Sequence, residues 1–212
     1  MSGLDKVMKP RSIAVIGAST KEHTIGSDIM KRLTDYGFTG PIYPVNPKGG
    51  EILGIKVYRN VLEIEGDVDL AIVVVNAKFV LDTIDQCHEK GVGGLCVISA
   101  GFKETGAQGA ELERALLAKV REYNMRCVGP NCLGVVNTHP DVRMDGCFAE
   151  SLPERGDIGF VSQSGALGGG ILNILKDLNL GFAQFISIGN QADVNAETAM
   201  EYWENEDDVK EI

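Results

Sequence analysis

The 212-residue sequence lacks the features of several specialised protein classes. It has no apolar run near the roughly 20 residues of a membrane span, and its first ten residues contain no apolar signal core. Its five cysteines are scattered, without the paired spacing of zinc sites. These absences argue against a membrane protein, a secreted protein and a metal site, and they favour a protein of the reducing cytoplasm.

An excess of positive charge is also missing. The chain has 20 Lys and Arg against 30 Asp and Glu, which gives a net charge of -10. This balance argues against a nucleic-acid partner. An anionic ligand would therefore depend on local donors, such as helix N-termini and single lysines.

Strand-like and helix-like segments alternate along the sequence. The predicted strands are the apolar or β-branched runs 12–16, 41–45, 68–75, 94–99 and 125–129. The predicted helices have apolar residues at helical spacing and cover 27–36, 79–90 and 111–123. Because the run 68–75 is apolar on both faces, as a central parallel strand is, the pattern indicates an α/β fold with a doubly wound parallel sheet.

A change of pattern at 134–156 predicts the domain organisation. This segment shows neither period and holds two prolines, which is typical of an extended connection. Two further βα units follow, with strands at 158–162 and 182–188 and helices at 165–177 and 195–203. Two units are few for an open α/β sheet, so we expect the second domain to be truncated or completed by another chain. The predicted division is a domain over 1–133, a connection over 134–156 and an incomplete domain over 157–212.

The first predicted strand ends in the glycine turn GAST at 17–20, which differs from a dinucleotide-binding fingerprint. The spacing GxGxxG is missing, since the next glycine is Gly26. The second strand ends in NPK at 46–48, where the fingerprint has an acid for the ribose hydroxyls. A lysine there disfavours NAD and suits a phosphate, with the hydroxyls of the first turn as further donors. The alternative is that Gly17 and Gly26 only allow a helix to pack tightly on the strand.

A second glycine turn, SQSGALGGG at 162–170, follows the strand predicted at 158–162. Glycine permits a ligand to approach closely, and a helix start presents N–H groups without intrahelical partners. Together with the helix dipole, these features predict an anion site. The alternative is a packing face of small residues.

Five motifs occur in an order that resembles a known family. They are SIAVIGAS, VNPKGG, ISAGFKE, GPNCLG and VSQSGALG. Their order is similar to that in the NDP-forming acyl-CoA synthetases and the succinyl-CoA synthetase alpha subunit. The versions GFKETG and SQSGALG resemble the acetate–CoA ligase (ADP-forming) branch more closely. The resemblance spans essentially the whole chain, and it implies a Rossmann-like CoA-binding domain followed by an incomplete flavodoxin-like domain of the succinyl-CoA synthetase type.

The resemblance implies a reversible reaction. Acyl-CoA, phosphate and ADP would give the free acid, CoA and ATP, through an acyl phosphate and a phosphohistidine. None of His23, His88 and His139 lies in the family's phosphohistidine context. We therefore expect the phosphohistidine beyond Ile212 and no catalytic residue in this chain. ADP or ATP with magnesium would bind through an ATP-grasp beta subunit or domain. The sequence leaves open which acyl group is used, whether the nucleotide is ADP or GDP, and whether the chain forms oligomers.

The resemblance also assigns binding roles to the motifs. The nucleotide of CoA would be lined by Gly17, Ala18, Ser19 and Thr20, and one of its phosphates would contact Lys48. The adenine or pantetheine would be flanked by Val75, Asn76 and Ala77. The next wall of the CoA site would be formed by Ser99, Ala100, Gly101 and Phe102. Asn131 and Cys132 would face the thioester and the acyl group, unless GPNCLG is only a turn that ends the domain. Phosphate would bind at Ser162, Gln163, Ser164 and Gly165, with Gly189 and Asn190 beside them.

Two other classes of protein remain as alternatives. A CoA-binding regulatory module, such as the synthetase-like portion of a protein acetyltransferase, would carry the same motifs next to an acetyltransferase domain. An NAD-binding oxidoreductase domain is disfavoured by the missing acid after the second strand.

Overall fold

The computed structural model describes residues 3–149, 154–178 and 180–212. In chain order, its strands are β1 (Ile13–Ile16), β2 (Ile42–Val45), β3 (Glu51–Ile52), β4 (Ile55–Lys56), β5 (Leu70–Val73), β6 (Gly94–Val97), β7 (Arg126–Val128), β8 (Gly134–Asn137), β9 (Met144–Cys147), β10 (Arg155–Ser162) and β11 (Phe182–Ser187). Its helices are α1 (Asp5–Met8), α2 (Ile25–Tyr36), α3 (Val80–Lys90), α4 (Ala107–Glu122), α5 (Gly165–Asp177) and α6 (Ala196–Trp203). None of these helices, within the described part of the chain, is long and apolar enough to cross a membrane.

The first sheet is parallel, with the strand order β2-β1-β5-β6-β7. Every residue of β1, β5 and β6 is buried, as expected where helices cover both faces of a sheet. Helix α2 connects β1 to β2, while α3 and α4 connect the strands from β5 to β7. The strand order reverses between β1 and β5, so the switch point of the sheet lies there. The predicted α/β class with a parallel sheet is confirmed.

The second sheet has the order β10-β11-β8-β9 and is mixed. Strands β10 and β11 are parallel, whereas β8 is antiparallel to both β11 and β9. The prediction of an extended connection over 134–156 is therefore wrong for β8 and β9, which supply half of this sheet. Residues 150–153 of that segment lie outside the described residues.

Strands β8 and β9 escaped prediction for a physical reason. Each has four residues and is buried on both faces, so neither shows the polar and apolar alternation that marks a strand. Strand β9 has the sequence MDGC and contains the buried Asp145. A charged residue in a sequence normally indicates an exposed position. The sequence analysis also did not predict helix α1 or the hairpin β3-β4. The domain boundaries given there remain a prediction.

The two sheets share one hydrophobic core. It includes Ile72 of β5 and Ile186 of β11, both fully buried. A side chain at Gly146 of β9 would meet Ile72 Cδ1 at 2.9 Å, so β9 packs directly against the first sheet. Arg32 of α2 pairs with Asp145 of β9 at 2.8 Å. Burial raises the pKa of Asp145, and the charge of Arg32 opposes that rise.

A strip of backbone hydrogen bonds also joins the two sheets; we call residues 127–130 and 190–194 the inter-sheet strip. The N–H groups of the second segment donate to carbonyl oxygens of the first: Asn190 to Pro130 at 2.8 Å, Ala192 to Gly129 at 3.1 Å and Val194 to Cys127 at 3.2 Å. The loop after β11 is thereby fixed against the loop after β7.

The assignment of β8 to the second sheet can be tested by a single truncation. Val136 is fully buried beside Phe185, so Val136→Ala should lower the free energy of unfolding in urea by about 2 kcal/mol, through lost methyl burial and a residual cavity. Leu62→Ala, at a side chain that is 40% exposed, serves as the control. A loss below about 0.5 kcal/mol at Val136, the size of a surface effect, would contradict the buried strand.

Candidate functional site

The turn after β1 and the start of α2 lie in close contact. Gly17 has φ 99°, and a side chain there would meet the Val74 carbonyl oxygen at 2.9 Å. A Cβ at Gly26 would overlap the Gly17 carbonyl oxygen. Both glycines therefore have a packing role, and that packing brings the first turn of α2 to the carboxyl end of β1. Helix N-termini in such positions bind anions in open α/β folds.

Lys48 lies with the hydroxyl residues of the first turn around one small cavity. Ala18, Ser19, Thr20 and Lys48 line this cavity of about 120 Å³. Asn46 holds the two loops together, because its Nδ2 donates to the Ala18 carbonyl oxygen at 2.8 Å and its Oδ1 accepts from the Lys48 N–H at 3.0 Å. The structure thus brings together an ammonium group and two hydroxyls at the edge of the sheet.

Two further cavities adjoin this one. A cavity of about 620 Å³ shares Ser19 and Thr20 and adds two basic residues, His23 and Lys31, and three carboxylates, Glu22, Asp28 and Glu51. An apolar cavity of about 280 Å³ lies at the switch point and is lined by Gly17, Val75, Arg59 and Phe79, among others. Sequence reasoning did not identify Lys31, Arg59 or Phe79, because they lie outside the strand-end motifs. The edge of the first sheet therefore offers lysines and hydroxyls interspersed with carboxylates, beside a largely apolar slot.

Several other predicted CoA residues make contacts within the protein. Asn76 Oδ1 accepts from the Lys78 N–H at 3.2 Å and caps the short turn Ala77–Phe79. The buried Ser99 donates its hydroxyl to the Val75 carbonyl oxygen at 2.5 Å. These bonds hold the loop after β5 against the loop after β6.

The segment from Ala100 to Phe102 completes that loop pair. A side chain at Gly101, which has φ 111°, would meet Ala77 Cβ at 2.9 Å. Phe102 is fully buried in the core of the first sheet. The backbone N–H groups of Gly101 and Phe102 both donate to Glu104 Oε1, at 2.5 and 3.0 Å. Ala100 is exposed at the tip of the loop.

The predicted acyl and phosphate residues meet in one large cavity between the two sheets. Its volume is about 800 Å³, and it is lined by Asn131, Cys132, Leu133, Phe148, Ala149, Gln163, Ser164, Gly165, Ala166, Gly169, Gly170, Gly189 and Asn190. Ser162 is not among these residues; it is buried and donates its hydroxyl to the Ser164 carbonyl oxygen at 3.0 Å. Two groups of residues that the sequence places far apart thus border the same space.

One wall of the large cavity is the N-terminus of α5. Ser164 caps the helix, since its Oγ accepts from the Leu167 N–H at 3.2 Å and its carbonyl oxygen accepts from the Gly168 N–H at 2.9 Å. The N–H groups of Gly165 and Ala166 belong to the first turn and have no helical carbonyl to bind. With the helix dipole, they give this wall a partial positive charge.

The facing wall is the turn at Asn131 and Cys132. Asn131 has φ 57°, and a side chain at the neighbouring Gly189 would overlap the Pro130 carbonyl oxygen. Only glycine permits this close approach of the two loops. The Cys132 thiol is directed into the core, where it donates to the Val97 carbonyl oxygen at 3.4 Å.

Sequence reasoning missed the apolar side of the large cavity. Leu133, Phe148 and Ala149 line it, and the last two follow β9, which was not predicted. Gln163, which the sequence analysis assigned to phosphate binding, is exposed and lines the cavity. The cavity therefore combines a polar, anion-attracting end with an apolar side.

Comparisons with known proteins agree with this arrangement. A family described as "CoA binding domain" matches residues 11–138, and one described as "Succinyl-CoA ligase like flavodoxin domain" matches residues 155–212. The acetate–CoA ligase (ADP-forming) of Methanocaldococcus jannaschii is 44% identical over 98% of this chain and 29% of its own length. The alpha subunit of acetate–CoA ligase (ADP-forming) II of Pyrococcus furiosus is 44% identical over 99% of this chain and 45% of its own length.

A solved structure is also similar. It is a dinucleotide-forming acetyl-coenzyme A synthetase 1 of Ca. Korarchaeum cryptofilum, in complex with phosphate and ADP, with a TM-score of 0.93 and 36% identity over 99% of this chain and 44% of that one. The predicted resemblance to ADP-forming acyl-CoA synthetases is confirmed, while the chain spans less than half the length of these relatives. The chain belongs to the CoA-binding domain family, and it continues into a flavodoxin domain like that of succinyl-CoA ligase.

Proposed function

We propose that this chain is the CoA-binding portion of an ADP-forming acyl-CoA synthetase. In the complete enzyme, acyl-CoA, phosphate and ADP would give the acid, CoA and ATP. The observation that carries the proposal is the large cavity, because it joins the Asn131 turn of the first sheet to the N-terminus of α5 in the second. A thioester and a phosphate would have to meet in such a space.

The first sheet would bind CoA along its carboxyl edge. Lys48 and the hydroxyls of Ser19 and Thr20 supply donors suited to its phosphates. The apolar slot beside Val75 and Phe79 suits the adenine or the pantetheine. Asn76, Ala77 and the segment from Ser99 to Phe102 would act mainly as the scaffold of this edge.

The large cavity would hold the reacting groups. Phosphate would bind at the N–H groups of Gly165 and Ala166, with Gln163 and Ser164 beside them. A phosphate oxygen would attack the thioester carbonyl carbon, the carbon–sulfur bond would break, and the CoA sulfur would leave with the bonding electrons and take up a proton. The product is an acyl phosphate. Asn131 donates one amide hydrogen to Asn190 Oδ1, and its second hydrogen could bind the thioester carbonyl oxygen.

The later steps would use other parts of the enzyme. No histidine is among the described residues that line the large cavity, so a phosphohistidine would come from a segment outside this chain. An ATP-grasp beta subunit or domain would supply the site for ADP or ATP and magnesium. The five free, buried cysteines are consistent with a cytoplasmic enzyme.

The choice of ligand can be tested on this chain by calorimetry. We expect CoA to bind and NAD to give no comparable heat. Lys48→Ala should weaken CoA binding by about 1.5–3 kcal/mol, the range for a hydrogen bond to a charged group. Lys210→Ala, which removes the same charge at an exposed position beside β10 of the second sheet, should leave CoA affinity unchanged. NAD binding without CoA binding would contradict the proposal, and an unchanged affinity for Lys48→Ala would remove Lys48 from the site.

The phosphate site can be tested at Gly165. A Cβ there would lie 3.4 Å from Leu133 Cβ, which alanine can tolerate, whereas the two further methyl groups of valine would crowd the approach to the helix N-terminus. In the complete enzyme, Gly165→Val should lower acyl phosphate formation at least about tenfold while CoA affinity stays within about twofold. Gly165→Ala is the matched control and should be much closer to the wild type. Equal loss of both functions in folded Gly165→Val would mean that this turn only packs the sheets together.

A further inference from the structure

Asn190 lies where three loops meet, and its side chain is fully engaged. It is 7% exposed. Its Nδ2 donates to Glu104 Oε2 at 2.6 Å and to Glu113 Oε2 at 2.8 Å, while its Oδ1 accepts from Asn131 Nδ2 at 3.3 Å. Since an amide group has two hydrogens, both are used within the protein. Asn190 therefore borders the large cavity without a side-chain donor left for phosphate.

Glu104 connects Asn190 to the loop after β6. One carboxylate oxygen accepts the N–H groups of Gly101 and Phe102, and the other accepts the Asn190 amide. Burial raises the pKa of Glu104, but these hydrogen bonds outweigh it and lower the pKa below its ordinary value. Glu104 is therefore an ionised acceptor between the predicted CoA loop and the loop after β11.

Lys103 balances the charge of this network. Its Nζ donates to the Asn190 carbonyl oxygen and pairs with Glu113 Oε1, the latter at 3.1 Å. Its backbone N–H donates to Glu113 Oε2 at 3.3 Å. The buried Glu113 carboxylate needs a positively charged partner of this kind, whereas Glu104 is exposed. The network is thus complete in the absence of any ligand.

The network also lies at one end of the inter-sheet strip. The Asn190 N–H forms the first bond of that strip, to Pro130. A displacement of the Asn190 side chain would therefore act both on the Asn131 turn and on the loop that carries Gly101. These two segments belong to the thioester end and the CoA end of the proposed site.

Building on the proposed function, we propose that Glu104 and Asn190 are positioning residues, which fix the loop after β6 relative to the phosphate end of the large cavity. Attack on a thioester needs the reacting atoms about 3–3.5 Å apart, and a shift of about 1 Å can lower the rate about a hundredfold. Neither side chain needs to touch a substrate in this role. Because the loop after β6 would act mainly as a scaffold, their effect should be much larger on kcat than on CoA binding.

Glu104→Gln tests the hydrogen bond between Glu104 and Asn190, because it changes the charge of the side chain but hardly its shape. The glutamine oxygen can still accept from Gly101 and Phe102, but its amide then faces the amide of Asn190, donor against donor. In the complete enzyme with its ATP-grasp partner, we expect kcat for ATP formation from acetyl-CoA, phosphate and ADP to fall about 10- to 100-fold. The KM for acetyl-CoA and the melting temperature should stay near those of the wild type. Glu111→Gln, the same exchange at an exposed carboxylate of α4, is the control and should retain full kcat.

A compensating pair of substitutions separates positioning from a general structural role. Asn190→Asp alone would set a third carboxylate against Glu104 and Glu113 and should reduce kcat more than Glu104→Gln does. In the double variant Glu104→Gln/Asn190→Asp, the introduced glutamine can donate its amide hydrogen to the new carboxylate, which still accepts from Asn131, so the repulsion from residue 104 is removed while that from Glu113 remains. We expect kcat of the double variant to exceed that of Asn190→Asp at least about fivefold, as for directly coupled residues.

The outcomes separate this inference from the proposed function. Unchanged kcat in Glu104→Gln would overturn the positioning role. So would a parallel fall of kcat, CoA affinity and melting temperature without rescue in the double variant, because that result indicates a merely structural network. Failure of the proposed function would appear in the wild type itself, as missing CoA binding or missing ATP formation, and would overturn both.

Discussion

The structure depends on one constraint: the loop after β11 is held against the end of β7 and the loop that follows it, by backbone hydrogen bonds, by the Asp193 carboxylate and by one glycine contact that leaves no room for a side chain. The inter-sheet strip sets the loop after β11 on the loop after β7, and Gly189 allows the contact because a Cβ there would overlap the Pro130 carbonyl oxygen. The shared core beneath, with β9 packed on Ile72, supports this contact. The large cavity opens beside this joint, between the Asn131 turn and the N-terminus of α5.

Under the proposed function, this constraint would place the two ligands of one reaction on different sheets. The first sheet supplies loops with a lysine, hydroxyls and an apolar slot, which suit a long ligand with phosphates at one end. The second sheet supplies a helix N-terminus, which suits a small anion. A thioester bound by the first sheet and a phosphate bound by the second sheet would have to be held at a fixed distance from each other. The hydrogen bond between Asn190 and Glu104 connects the loop after β11 to the loop after β6 without involving either ligand.

The sequence was informative wherever a motif follows a strand of the parallel sheet. Loops at the carboxyl ends of parallel strands meet at one edge, so Ser19 and Lys48 could be placed together before the structure was known. The roles of Asn46 and Asn190 could not, because a side-chain amide that joins two loops leaves no pattern in the chain. Phe148 was missed for another reason, since it follows β9, whose four residues have no alternation and contain a buried charge paired with a distant arginine. Local patterns thus predicted the parallel strands, while the antiparallel strands depend on tertiary contacts.

Under the proposed function, the acyl end of CoA and a phosphate meet in the large cavity. The most direct measurement is a crystal structure of the chain with phosphate and a thioether analogue of acetyl-CoA, which cannot react. We predict the nucleotide of the analogue beside Lys48, its acyl end beside Asn131, and phosphate at the N–H groups of Gly165 and Ala166. An acyl end directed into solvent, or phosphate bound away from α5 while CoA occupies the first sheet, would contradict the account.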